Sequence, residues 1–283
     1  MADVLFGVTS LMYVVATVSF VFALMGRSGA LVKLGPRLVG VGAVLHAGHI
    51  VVASLVFRVC PVEGIHFPIS VFSMLMGVTY ATMRVRYRMD LVGALVAPLA
   101  LTALMASRFV GLSGGGALPK VHSLLFPVHV TMNIIGVAFF SFAFAAAALY
   151  LVQERLLKAK KVEGLFQRLP PLDALDRAEH RFLLAGFPLL TLGIVTGTLG
   201  VHHVDMARLG DILRAVLGYV TWLLFAGVLL LRAAAGWRGR RAAYGTIAGF
   251  GCAMLVLLFY LLRGKPSTAP VVAQVLSFLG VPS

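Results

Sequence analysis

Charged residues divide this chain into long apolar stretches. Asp, Glu, Lys and Arg are absent from Val4–Gly26, Leu38–Phe57, Gly64–Met83, Leu91–Ser107, Val121–Gln153, Phe182–Val204, Ala215–Leu231 and Ala242–Leu262. A bilayer core of about 30 Å takes roughly 20 apolar helical residues. Backbone polar groups in lipid must be paired within the segment, so each stretch predicts a helix rather than an open strand. The pattern therefore predicts an all-α polytopic membrane bundle of eight transmembrane helices. The fifth stretch is long enough to project beyond one face, and the fourth and seventh are short. No repeat of 20–50 residues stands out. Residues 1–265 are expected to form one eight-span membrane domain and 266–283 a short external tail, whose apolar patch Val271–Leu279 suits an interface.

Composition sharpens this picture. Apolar residues make up 60% of the 283 positions and charged residues 12%, against about 25% charged in a soluble domain. With Asp3 ahead of the first stretch and no basic region before it, the first helix is expected to be retained as a span. If the N-terminus faces outward, 17 of the 24 Lys and Arg residues fall on the inner side and 7 on the outer. Basic residues collect in cytoplasmic loops, so both termini are expected on the outer, periplasmic side of a bacterial inner membrane. The net charge of +14 is then a topology signal, and no nucleic-acid partner is needed to explain it. The loop Arg155–Arg181 is basic at first and then carries Pro170 and Pro171. Asp173 is expected to cap a short helix leading into the sixth span.

Cys60 and Cys252 are far apart and form no CxxC pair, which leaves no disulfide framework or thiol-redox motif. The spans hold no acidic or basic side chain apart from histidine, which argues against an ion-coupled carrier. His46 and His49 sit midway along the second span, three residues apart on one helix face. His129 lies in the outer part of the fifth. His202 and His203 close the sixth on the same side. His66 and His122 are at outer edges, and His180 is in the inner loop. An imidazole at membrane depth serves either as a ligand or as interhelical glue. Dispersed histidines without carboxylates suit haem better than zinc, because axial ligands approach haem from opposite faces. Asp205 and Asp211 stand near His202 and His203 as solvated loop acids or as partners of an imidazole.

Several motifs together carry a resemblance. They are Val128-His129-Val130-Thr131-Met132, Ala147-Ala148-Leu149-Tyr150-Leu151-Val152-Gln153-Glu154, Leu169-Pro170-Pro171-Leu172-Asp173, Gly186-Phe187-Pro188-Leu189-Leu190-Thr191-Leu192-Gly193, Thr196-Gly197 and Gly236-Trp237-Arg238-Gly239-Arg240-Arg241. In these the chain resembles the cytochrome c assembly family (CcsA, HemX and YpjD-like) of haem-handling membrane proteins, from the second span to the eighth. The resemblance implies non-covalent, b-type haem with His129 as a ligand on the outer side. His202, with His203 as the alternative, matches the histidine ending the sixth span in the YpjD-like branch. His46, with His49 beside it, matches that branch's second-span histidine, for a second haem or the route by which haem enters. All three of His129, His202 and His46 would then be axial ligands to haem iron.

The tryptophan-rich loop of the full synthases is absent between the sixth and seventh spans, where Val201-His202-His203-Val204-Asp205 stands. The position near the end of the seventh span that carries a synthase histidine reads Leu229-Leu230-Leu231-Arg232. No catalytic residue is therefore assigned, and the resemblance implies haem binding or transport. Two other functions remain open. One is HemX-type regulation of haem biosynthesis through a cytoplasmic enzyme, and the other is permeation of a small solute or metal. Haem, the lipid bilayer, a cytochrome c biogenesis subunit and a haem-synthesis enzyme are the expected partners.

Overall fold

A computed structural model describes residues 2–25, 30–57, 66–87, 92–112, 125–160, 169–199 and 209–262. Every expected span is a helix: α1 Ala2–Leu24, α2 Ala30–Phe57, α3 His66–Tyr87, α4 Gly93–Leu112, α5 Leu125–Lys158, α6 Leu172–Leu199, α7 Leu209–Ala234 and α8 Arg240–Leu262. All but α3 and α4 meet the length and composition for crossing a membrane. The α3 helix brings Arg84 and Arg86 into its last turns, and in α4 the apolar run Gly93–Phe109 is the shorter piece. At 1.5 Å per residue the 34 residues of α5 extend about 50 Å, well beyond a bilayer core.

The helices close into two rings of four. In the first, α1 packs on α2, α2 on α3, α3 on α4 and α4 back on α1. The second repeats this order with α5, α6, α7 and α8. The rings meet mainly where α3 lies against α5. Tyr13, Met76, Tyr80 and Leu104 fill the first core; Phe140, Phe142, Leu175, Leu183 and Phe225 fill the second. Stacked aromatics tie the second ring together, with centroids 3.9 Å apart for Phe140–Phe225 and 4.6 Å for Phe144–Phe250. Large apolar residues such as Val4, Leu55, Leu223 and Leu230 point outward, as lipid-facing positions do.

Hydrophobic burial does not favour helix pairing within lipid, so close approach of small residues must contribute instead. The most extensive contact, between α5 and α6, shows this. A Cβ on Gly186 would stand 3.1 Å from the Gly136 carbonyl oxygen and 2.8 Å from Phe140 Cε1. The two backbones can approach this closely only because both positions are glycine.

Asp173 departs from expectation. The helix leading into the sixth span is not a separate short piece but the beginning of α6 itself. The Pro171 carbonyl accepts the opening bonds from Ala174 and Leu175. Asp173 thus lies inside the first turn and pairs with Arg177 one turn on. A carboxylate there still complements the helix dipole. The tail patch Val271–Leu279 lies outside the described residues.

Candidate functional site

His129 is placed by the α5–α6 crossing. Pro127 fits the first turn of α5, where its missing N–H would have no partner anyway. One turn on, Asn133 shares the face of His129 and donates its amide hydrogen to the His129 carbonyl at 2.8 Å. The imidazole reaches across to α6, with Nδ1 2.7 Å from the Gly193 carbonyl oxygen. A carbonyl only accepts, so Nδ1 carries a proton, and in the neutral ring the lone pair is then on Nε2. The Asn133 amide nitrogen is the nearest polar group to Nε2, at a long 3.4 Å. On α6, a Cβ at Gly197 would lie 2.6 Å from His129 Cε1, and one at Gly193 would lie 2.6 Å from the Asn133 amide. Both glycines therefore make room for the α5 polar pair. The Thr196 hydroxyl shares the Gly193 carbonyl at 3.1 Å. Trp222 of α7 donates to Thr191 at 3.0 Å, which ties α7 to a different face of α6.

This arrangement fits an axial ligand. Ligating histidines as a rule give their second N–H to a carbonyl or carboxylate, which fixes the tautomer and the ring plane. His129 is half-buried. The proposed partners His202 and His203, with Asp205, lie outside the described residues, as does His122, and so does the side chain of His66.

His46 and His49 lie in the other ring. His46 is fully buried, its Nε2 2.9 Å from Ser70 Oγ on α3. Tyr13 of α1 covers it with ring centroids 6.0 Å apart. The Nδ1 atom has no hydrogen-bond partner. His49 Nδ1 donates to the Ala2 carbonyl at 3.0 Å, and Phe6 meets its ring edge-on at 5.6 Å. As packed, His46 does not fit haem: a porphyrin needs an open slot beside the imidazole, and α1 and α3 enclose this one. The structure thus sets His129 apart from the His46–His49 pair. Among the described residues no three His, Cys, Asp or Glu side chains gather to hold one metal ion.

A third polar cluster escaped the sequence reading. Asp176 of α6 receives Arg232 Nη2 of α7 at 2.5 Å and the Gly239 N–H at 2.8 Å. One turn further in, the fully buried Glu179 accepts from Thr246 of α8 at 2.6 Å. Gly236 and Gly239 take positive φ values of 66° and 63°, which suit glycine and turn the chain back from α7 into α8. The sequence signal was available: two acids three residues apart at the start of α6, and a lone arginine ending α7.

Comparison with known proteins places these features. The family model described as cytochrome C assembly protein matches residues 59–265. The cytochrome c biogenesis protein CcsA of Synechococcus elongatus is 36% identical over 93 residues, covering 33% of this chain and 29% of that protein. CcsA of a Synechocystis species is 34% identical over 99 residues, 35% and 30% respectively. The inner membrane protein YpjD of Escherichia coli is 34% identical over 131 residues, 44% and 48% respectively. The match thus spans under a third of the CcsA proteins and about half of YpjD. No solved structure matches the chain.

Proposed function

Because the chain belongs to the cytochrome c assembly protein family, a multi-pass protein of the bacterial inner membrane, we propose that it binds haem non-covalently through His129. The observation that carries this reading is the His129–Gly193 bond. It fixes the tautomer in which Nδ1 is the donor and Nε2 the ligating nitrogen, on a ring seated in a notch made by glycine. His202, or His203 next to it, is the proposed second ligand, which the loop after α6 would bring to the same side. Haem, when bound, supplies the iron chemistry. The residues described here do the rest: Asn133 and Gly193 hold the ring plane, Gly197 gives it space, and Trp222 ties α7 to a different face of α6.

The same reading includes an eight-span topology with both termini on the outer side and residues 1–265 as one membrane domain. In its support, α3 and α4 with 22 and 20 residues reach about 30 Å each, and most basic residues then fall inside. His129 near the start of α5 accordingly faces the outer half. A cytochrome c biogenesis subunit or a haem-synthesis enzyme is the proposed protein partner.

The visible spectrum of the full chain, purified from a haem-producing host, tests this. A Soret band is expected that His129→Ala removes and His202→Ala weakens or shifts. A protein that shows no band, even with haem added, would overturn the proposal.

A further inference from the structure

The first ring holds a group of polar atoms that haem binding at His129 does not use. His46 and His49 lie on one face of α2 with ring centroids 6.3 Å apart. Each is held by one nitrogen, His46 Nε2 by Ser70 and His49 Nδ1 by the Ala2 carbonyl. With the Nε2 proton of His46 given to Ser70, each ring has a lone pair to offer: His46 at Nδ1, which is buried without a partner, and His49 at Nε2. Opposite them stands α1. Ser19 meets Gly35, Tyr13 meets Gly42 and Phe6 meets His49, so this antiparallel register puts Thr9 level with His46. Thr9 and Tyr13 are fully buried, and neither hydroxyl has a partner. Their neighbours Ser10 and Thr17 instead donate to carbonyls one turn back, at 2.7 and 2.8 Å. Thr9 thus forgoes the bond that a hydroxyl on a membrane helix ordinarily makes.

We propose that His46 and His49 bind a monovalent copper ion, with the Thr9 hydroxyl as an additional donor and Tyr13 closing the site. The spacing suits it. An imidazole centroid lies about 3.2 Å from an ion bound at about 2.0 Å, so two rings that share one ion stand at most about 6.4 Å apart, and these lie within that limit. A porphyrin needs an open slot beside its ligand, and α1 and α3 enclose His46. Structural zinc takes four ligands, and a divalent ion with neither carboxylate nor thiolate is costly in an apolar interior. Copper suits imidazole, carries one charge as copper(I), and accepts a small set of neutral donors. His49 is only half-buried and gives the ion a way in. Both helices precede residue 59, where the family match begins.

The full chain in detergent, stripped of metal and kept reduced, is titrated with copper(I) against the chelator bicinchoninate. One equivalent should be withdrawn, with two nitrogen neighbours in the copper absorption-edge spectrum and a raised melting midpoint. His46→Ala and His49→Ala should each abolish binding, Ser70→Ala should weaken it ten- to a hundredfold, and His129→Ala should leave it unchanged. Should His46→Ala fail to fold, His49→Ala at the half-buried position carries the test. Three results overturn the proposal: no copper withdrawn by the wild type, binding that survives both histidine changes, or a Soret band with added haem that His46→Ala removes. The Soret band lost in His129→Ala reports on the haem reading separately.

Discussion

The two rings share a topology but bury different kinds of polar group. The second buries charged groups: Arg232 and Asp176 pair in near-complete burial and Glu179 is bonded to Thr246, while Glu179 Oε2, Arg232 Nη1, Gln153 Oε1 and His180 Nδ1 go without partners. The Trp222 N–H and the His129 Nδ1–H both have acceptors. In the first, the deepest polar groups are neutral, and His46 Nδ1, Tyr13 OH and Thr9 Oγ1 go without partners. A buried polar atom without a partner costs about 1–3 kcal/mol. Both rings carry this cost, but in the second Glu179 and Arg232 each hold a partner through another atom, whereas in the first the Thr9 and Tyr13 hydroxyls hold none.

The largest test strikes the second ring. Arg232→Met leaves Asp176 buried with the Gly239 N–H as its remaining partner, and breaking a buried pair from one side costs about 3–5 kcal/mol. The melting midpoint of the detergent-solubilised protein should fall accordingly, with α6 and the α7–α8 turn loosening first in hydrogen exchange. Next comes Gly186→Ala, whose new Cβ meets the Gly136 carbonyl oxygen and Phe140. Overpacking of this kind costs about 1–3 kcal/mol. Because the same crossing holds His129 against Gly193, the Soret band should weaken together with the midpoint. A loss of stability with an unchanged spectrum would separate the helix crossing from the ligand.

Two changes of about 1 kcal/mol should have opposite signs in the two rings. Thr191→Val leaves the Trp222 N–H without its acceptor and should lower the midpoint. Tyr13→Phe removes a hydroxyl that bonds to nothing and should raise the midpoint of the metal-free protein. If Tyr13→Phe lowered it instead, the first ring would be satisfied in a way its packing does not show.

The helices were legible because membrane spans are set by length and by absence of charge, both of which can be read along a chain. His129, His46 and His49 stood out for the related reason that an imidazole in an apolar run is conspicuous. Their surroundings were not legible. Gly193 and Gly197 matter only through the antiparallel register of α5 and α6, which places them 64 and 68 positions from the histidine they accommodate. Asp176 and Arg232 are 56 residues apart and flank the charge-free stretches, where they look like ordinary loop charges. Thr9 and Tyr13 were invisible for a different reason. A hydroxyl barely disturbs an apolar pattern, and whether it has a partner is decided by packing alone. Asp173 was misplaced by two residues because a proline pair ends one helix and starts the next with equal ease.

The smallest expected effect completes the contrast between buried and exposed pairing. Arg108 and Asp3 make an ion pair of 2.9 Å, comparable in length to that of Arg232 and Asp176, but with side chains 46% and 78% exposed. Water and salt screen it, and such pairs contribute up to about 1 kcal/mol. Arg108 also stands over the Phe6 ring, 5.3 Å from its centroid, a contact of about 0.5–1 kcal/mol at an exposed site. Arg108→Met keeps the apolar stem against Phe6 and removes the charge, so the midpoint should move little and the remaining effect should vanish in high salt. A loss approaching that of Arg232→Met would mean that the pair is covered in the membrane. In that case the first ring would rely on charge as the second does.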